Sequence, residues 1–172
     1  MHLEKERQNI VGFYILFAVG FVMDFIPFQS IEMMGMCIAI VTVFAAYIYR
    51  WRSPLSSLTY NHMSFLIATF WASSFLLLIG LIIATIWVYR AGDHTAIMNL
   101  IDAMNKGAVF TPYDMQQILH GYMGANMKVL VTSALTTLFP GFVYLAYRVW
   151  AGMRHALRGD NMPFPSAWFR VT

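Results

Sequence analysis

The chain has 172 residues, 59% of them hydrophobic and only 11% charged, with 14 Phe, 9 Tyr, 5 Trp and a formal net charge of +3. A soluble domain carries about 25% charged residues, so the composition excludes an ordinary soluble globule and points to one membrane domain spanning residues 1–172. The basic residues flank apolar segments, which ties the positive charge to membrane topology rather than to nucleic acid, and the single cysteine, Cys37, leaves no internal disulfide and no CxxC redox or zinc motif.

The opening "MHLEKERQNI" is charged and leads directly into apolar residues without a small-residue cleavage site, which predicts a retained first helix rather than a signal peptide. A spanning helix needs about 20 largely apolar residues, and the first candidate runs from Ile10 to Ile26. Gly12 and Gly20 on this span suit close helix packing. Asp24 is the one ionisable residue read here as lying inside a span, a functional hypothesis by default. Pro27 ends the helix, because its ring fixes φ and removes a donor. Ser30 is the expected cap of the second span, Ile31 to Tyr49, with Glu32 in its first turn, where a carboxylate suits the helix dipole. Asp24 and Glu32 together could bind a cation or pass a proton. The preferred reading is two wet interfacial carboxylates, since no basic or polar partner lies deeper.

Next comes "YNHMSFLIATFW", Tyr60 to Trp71, which leads into the third span, Ser64 to Tyr89. Tyr60, Asn61 and His62 are expected at the cytoplasmic interface, with His62 hydrogen-bonded there rather than serving as a ligand or base. Thr69 lies deeper and is expected to bond back to its own helix. Ser64, Ala68, Ala72, Gly80 and Ala84 form a small-residue ridge at four-residue spacing, interrupted by Leu76.

Residues 91–126 read as an amphipathic helical insertion outside the bilayer. "TAIMNLIDAM" and "TPYDMQQILHGYM" are its two helical pieces, with "KGAVF" as the turn. Thr111 is placed to cap the second piece, with Pro112 at the first helical position and Asp114 completing a capping box. Met115, Ile118, Leu119 and Tyr122 share one face, which predicts a hairpin lying on the membrane surface or docking a partner. Within it, His120, Met123 and Met127 stand at helical spacing, and thioether and imidazole ligands suit copper(I). Methionine also fills irregular apolar gaps, and that packing reading is preferred. The fourth span runs from Val129 to Val149, with Ser133, Thr137 and Gly141 as its packing positions.

The sequence therefore predicts an all-α polytopic protein with four transmembrane helices at 10–26, 31–49, 64–89 and 129–149. Lys5, Arg7, Arg50, Arg52, Arg148, Arg154, Arg158 and Arg170 fall on one side, against Arg90, Lys106 and Lys128 on the other. By the positive-inside rule both termini are expected in the cytoplasm. Trp51, Trp87, Tyr89 and Trp150 sit at span ends, as interfacial aromatics do.

"NHMSFLIATFW" resembles the segment "SHYRFQIRTFW" of a family of small bacterial inner-membrane proteins, itself similar to the twenty-kilodalton Tic component of the chloroplast import machinery. His62, Phe65, Ile67, Thr69, Phe70 and Trp71 match, whereas Ser64, Leu66 and Ala68 stand where that pattern has Arg, Gln and Arg. "GMCIAIVTVFAAYIYR" resembles the family's second helix. "YRVWAGMRHALRGDNMPFPSAW" resembles its tail, in which a Tyr-Arg is followed by a Gly, a Met-Pro or Ile-Pro and a Pro-x-x-Trp. The likeness covers roughly residues 10–90 and 127–169, and residues 91–126 have no counterpart in it. It implies a four-helix protein of the bacterial inner membrane, linked to transport or assembly of other proteins. Hydrolase triads, carboxylates at catalytic spacing and nucleotide motifs are missing from the sequence. The expected function is thus a non-enzymatic subunit or accessory factor of a larger inner-membrane complex, without a cofactor, in contact with lipid and other membrane subunits. The alternatives are a translocation or channel component and a periplasm-facing copper(I)-binding protein.

Overall fold

A computed structural model describes residues 2–23, 26 and 28–170. Helices account for most of them, with no strand among the described residues: α1 His2–Met23, α2 Gln29–Arg52, α3 Leu58–Ala91, α4 Thr95–Asn105, α5 Pro112–Thr137 and α6 Phe139–Arg158. Three helical stretches are long and apolar enough to cross a membrane, namely Gln29–Arg52, Leu58–Ala91 and the run Pro112–Arg158 that joins α5 to α6. The first expected span is not among them. Its described part ends at Met23, and α1 opens on the mostly polar stretch His2–Asn9.

Local chemistry explains most helix ends. Ser57 caps α3, its hydroxyl accepting from the Tyr60 amide at 3.1 Å, so the helix starts six residues before the apolar run begins at Ser64. Thr111 caps α5 in the expected capping box with Asp114, and Pro112 occupies the first turn. Two helices end in Schellman motifs that need a residue in the left-handed region. At α4 this is Gly107 (φ 84°), with Ala108 N–H donating to the Ala103 carbonyl at 3.0 Å. At α6 it is Gly159 (φ 75°), with Asp160 N–H donating to the His155 carbonyl at 3.0 Å. Ser30 is not a cap, since α2 begins at Gln29 with Phe28 at the cap position and no side-chain cap bond. The expected fourth span lies across the α5–α6 junction. Pro140, just inside α6, has no N–H for the Thr136 carbonyl, which accounts for the interruption at Leu138.

The chain divides into two compact units, one of Met1–Phe75 with Phe142–Thr172 and one of Leu76–Gly141, the boundaries falling within α3 and α6. In the first unit α1 lies antiparallel on α2. Gly20 meets the Gly35 carbonyl and Ala39 near one end of the pair, and Phe13 packs edge-on against Tyr49 at 5.1 Å nearer the other. The core of this unit gathers Ile10, Tyr14 and Phe17 of α1, Val43 and Ala46 of α2, Met63, Phe65 and Leu66 of α3, and Leu145 and Val149 of α6. Thr59 at the start of α3 donates its amide and hydroxyl to the Glu6 carboxylate of α1 at 2.9 and 2.8 Å. The start of α1, the end of α2 and the start of α3 therefore meet.

In the second unit the α4–α5 hairpin forms as expected, but α5 does not stop at the end of the predicted insertion. It continues as one helix to Thr137, because no proline interrupts "GANMKVLV" and Gly124 stays out of the left-handed region. Gly80 of α3 faces the Thr137 carbonyl, where an added Cβ would lie 2.4 Å from the oxygen, and Gly141 receives Leu77. Ser64, Ala68, Ala72, Ala84 and Ser133 are buried, so the predicted ridges point inward. Gly12 differs, since a Cβ there would meet open space. Long apolar side chains on the other helix faces, among them Val41, Phe44, Leu78 and Ile82, are exposed, a pattern suited to lipid rather than water.

The two glycines of α1 give a paired prediction. Gly20→Leu should lower stability in mild detergent by about 1–3 kcal/mol through overpacking against α2. Gly12→Leu, with the same change in helix propensity, should not, and thermal melts of the two variants measure the contrast directly.

Candidate functional site

The strongest concentration of buried polar chemistry surrounds Arg148 of α6, which is wholly inaccessible. Its Nε donates to the Thr69 hydroxyl at 2.9 Å, and that hydroxyl donates in turn to the Phe65 carbonyl at 2.7 Å. One terminal nitrogen donates to the Tyr144 hydroxyl at 3.0 Å and to the Ala167 carbonyl at 2.8 Å, and it also reaches the Trp168 carbonyl, to which Tyr144 donates as well. The guanidinium carbon sits 4.2 Å from the Phe65 ring centroid, within cation–π range. The other terminal nitrogen has no hydrogen-bond partner among the described residues. Among the described residues its hydrogen-bond partners are hydroxyls and carbonyls, with no carboxylate among them. A buried cation held by neutral oxygens and an aromatic face stabilises those oxygens in place, and here two of them are backbone carbonyls of the segment after α6.

A second clamp holds the same segment nearer Gly159. Asn61 pairs with Met162 as a backbone strand would, accepting from its N–H at 2.7 Å and donating to its carbonyl at 3.1 Å. His62 is buried within the protein. Its Nε2 faces the Asp160 carbonyl at 2.9 Å and its Nδ1 faces the Tyr14 hydroxyl at 3.1 Å. A carbonyl can only accept, so Nε2 carries the proton, Nδ1 is bare and Tyr14 donates to it. A neutral imidazole with both nitrogens satisfied fits the sequence expectation of a bonded, non-catalytic histidine. The Tyr14 ring lies where a Cβ on Gly152 would stand, 2.5 Å from its hydroxyl, so α6 needs glycine there for Tyr14 to reach His62.

The second unit repeats both devices with different residues. Asn126, buried on α5, accepts from Asp93 N–H at 2.6 Å and donates to the Asp93 carbonyl at 2.8 Å. His94 directs Nε2 to the Tyr89 carbonyl at 3.0 Å and Nδ1 to the Tyr122 hydroxyl at 3.3 Å, the same tautomer by the same argument. The rings of His94 and Tyr122 stack at 5.9 Å. The Asp93 carboxylate accepts from the Thr95 amide at 2.9 Å and hydroxyl at 2.6 Å, opening α4. His94 and Tyr122 also edge an otherwise largely apolar cavity of about 440 Å³ between α3 and α5.

Among the predicted site residues, Asp24 lies outside the described residues. Glu32 is exposed in the first turn of α2. Thr69 bonds back to Phe65 as expected, and it also accepts from Arg148. His120, Met123 and Met127 are all exposed on α5, one turn and then another apart. Tyr14, Asn126 and Gly152 carry no expectation from the sequence, and Asn61 only one of position. The sequence makes Arg148 a topology-setting charge, yet its side chain is buried at the end of the fourth predicted span. The available signal was an arginine flanked by Tyr-x-x-x on one side and Val-Trp on the other, within an apolar run.

Arg148→Ala should free the tail, with an expected cost of about 2 kcal/mol or more for the acceptors left unpaired. Limited proteolysis within residues 160–170 checks this, and unchanged protection would contradict the clamp. For Asp93, the Thr95 donors hold the carboxyl below its ordinary value. The folded form therefore gains from this cap above the unfolded carboxylate pKa, and loses the gain as pH falls through the folded pKa. Hydrogen-exchange protection at the start of α4 should decline in that acid range, and Asp93→Ala should remove the dependence. Comparisons with protein-family models, with curated proteins and with solved structures give no match to this chain.

Proposed function

We propose that the protein is a non-enzymatic, four-crossing subunit or assembly factor of a larger inner-membrane complex, with both termini in the cytoplasm. The observation that carries this reading is the use of the polar side chains near the helix ends. Arg148, His62 and Asn126, which are buried, and Asn61 and His94, which are half-buried, all bond the chain's own carbonyls, the work of a scaffold. The fourth crossing is α1, supported by its antiparallel packing on the membrane-spanning α2 along much of its length. The orientation is supported by the meeting of basic segments at one end of the first unit. Lys5 and Arg52 line one cleft there, and Arg7 lines another beside Gly159. Under the positive-inside rule a cluster of Lys and Arg at one end supports reading that end as cytoplasmic.

The α4–α5 hairpin is the surface proposed to meet the partner. On α4, Ala96, Ile97, Leu100 and Ala103 are half-buried, while Met98, Ile101 and Met104 form a second, exposed apolar stripe. A helix apolar on both sides suits a surface covered twice, once by its own chain and once by a neighbouring subunit. Extraction in mild detergent should yield an assembly heavier than the monomer, and Ile101→Asp with Met104→Asp should release it while α1 and α2 still melt normally. A native mass equal to the free chain would overturn the reading. A copper(I) reading draws on the shared exposed strip of His120, Met123 and Met127. Equilibrium titration with copper(I) should then weaken at least tenfold in His120→Ala and Met123→Ala, and equal weak binding by all forms would end it.

A further inference from the structure

We propose that the cleft bounded by the start of α1, the end of α2 and the start of α3 binds the phosphate headgroup of an anionic glycerophospholipid from the leaflet on that side. The cleft has a volume of about 510 Å³, within the about 300–1,000 Å³ typical of small-ligand sites. Its floor is apolar, with Ile10 and Met63 buried beneath it and Phe13 and Tyr49 on its walls. Its mouth is polar, and the hydrogen-bond inventory there is lopsided.

Most acceptor chemistry at the mouth is already engaged. Glu6 accepts twice from Thr59. The Ser53 hydroxyl donates to the Tyr49 carbonyl at 2.7 Å, and the Ser57 hydroxyl donates to the Pro54 carbonyl at 2.7 Å while accepting from Tyr60. Lys5, Asn9 and Arg52 line the same cleft, are exposed, and have no hydrogen bond or ion pair among the described residues. What remains free is therefore rich in N–H donors and carries two positive charges against one carboxylate. Such a set is complementary to a phosphodiester, and the apolar floor is complementary to the acyl chain that follows it. The depth agrees, because Trp51 is 87% exposed beside Arg52 at the end of α2, where interfacial aromatics mark headgroup level. Basic pockets between crossing helices on the cytoplasmic side are known to take acidic headgroups. The inference rests on the crossing of the membrane by α2 and α3, and not on the identity of any partner complex.

The test uses the full chain, purified and delipidated in a neutral detergent, with native mass spectrometry reading retained lipid. Short-chain phosphatidylglycerol, phosphatidylcholine of the same chain length and inorganic phosphate are the three probes. Phosphatidylglycerol should bind saturably and in preference to phosphatidylcholine. Lys5→Gln with Arg52→Gln should weaken it about 25-fold, each cation contributing about fivefold near an anionic headgroup. Lys5→Arg with Arg52→Lys should retain binding, and so should the equally charge-depleted control Lys106→Gln with Lys128→Gln. Equal retention of the two lipids, or an equal loss in the control, would overturn the proposal. Competition by inorganic phosphate at the lipid's own affinity would show a free-anion site and overturn the lipid assignment. Loss of partner assembly in the α4 variants has no bearing on these readouts, so the two ideas fail separately.

Discussion

A buried guanidinium with no carboxylate bonded to it among the described residues is the constraint on which the first unit depends. Arg148 cannot leave its charge unsolvated in an apolar core, so oxygens must be brought to it. Two are hydroxyls, of Thr69 and Tyr144, and two are backbone carbonyls, of Ala167 and Trp168. The segment after α6 is thereby drawn back against α3 and α6. Asn61 and His62 fix the same segment farther back, at Met162 and Asp160. A stretch with no regular helix after Arg158 is thus ordered by side chains from helices far away in sequence.

The same logic operates in the second unit at smaller scale. An asparagine replaces a missing backbone pairing, and a histidine in one tautomer joins a tyrosine hydroxyl to a carbonyl. Both devices appear where the chain leaves a long apolar helix and its terminal carbonyls and amides lose their helical partners. The polar residues near the ends of the long helices therefore have a structural cause, and that cause explains why they point at backbone rather than into an open cavity. Exposed polar side chains with no hydrogen bond among the described residues lie elsewhere, at the mouth of the basic cleft.

His62, Phe65 and Thr69 of α3 and Arg148 of α6 bond or pack with one another and with the backbone carbonyls of Asp160, Ala167 and Trp168. The tail is held through its main chain, so its path depends on the side chains of the helices more than on its own.

The sequence by itself determined the helical class, three helical stretches long and apolar enough to cross a membrane against four expected spans, the Thr111 capping box, the glycine turn at Gly107 and the inward ridge of small residues. Each of these depends on neighbours within a few positions, or on a repeat that one helix displays unaided. It also placed Thr69 and His62 correctly as bonded residues. Tertiary structure alone decided that Arg148 is buried, that Asn61 meets Met162, that Tyr14 reaches His62 through the gap left by Gly152, and that Gly12 packs against nothing. Those outcomes join residues tens of positions apart, where composition and spacing carry no signal. The length of α5 was also settled in three dimensions: an amphipathic start and an apolar continuation look like two elements in a sequence, but the backbone hydrogen bonds of a helix run through both.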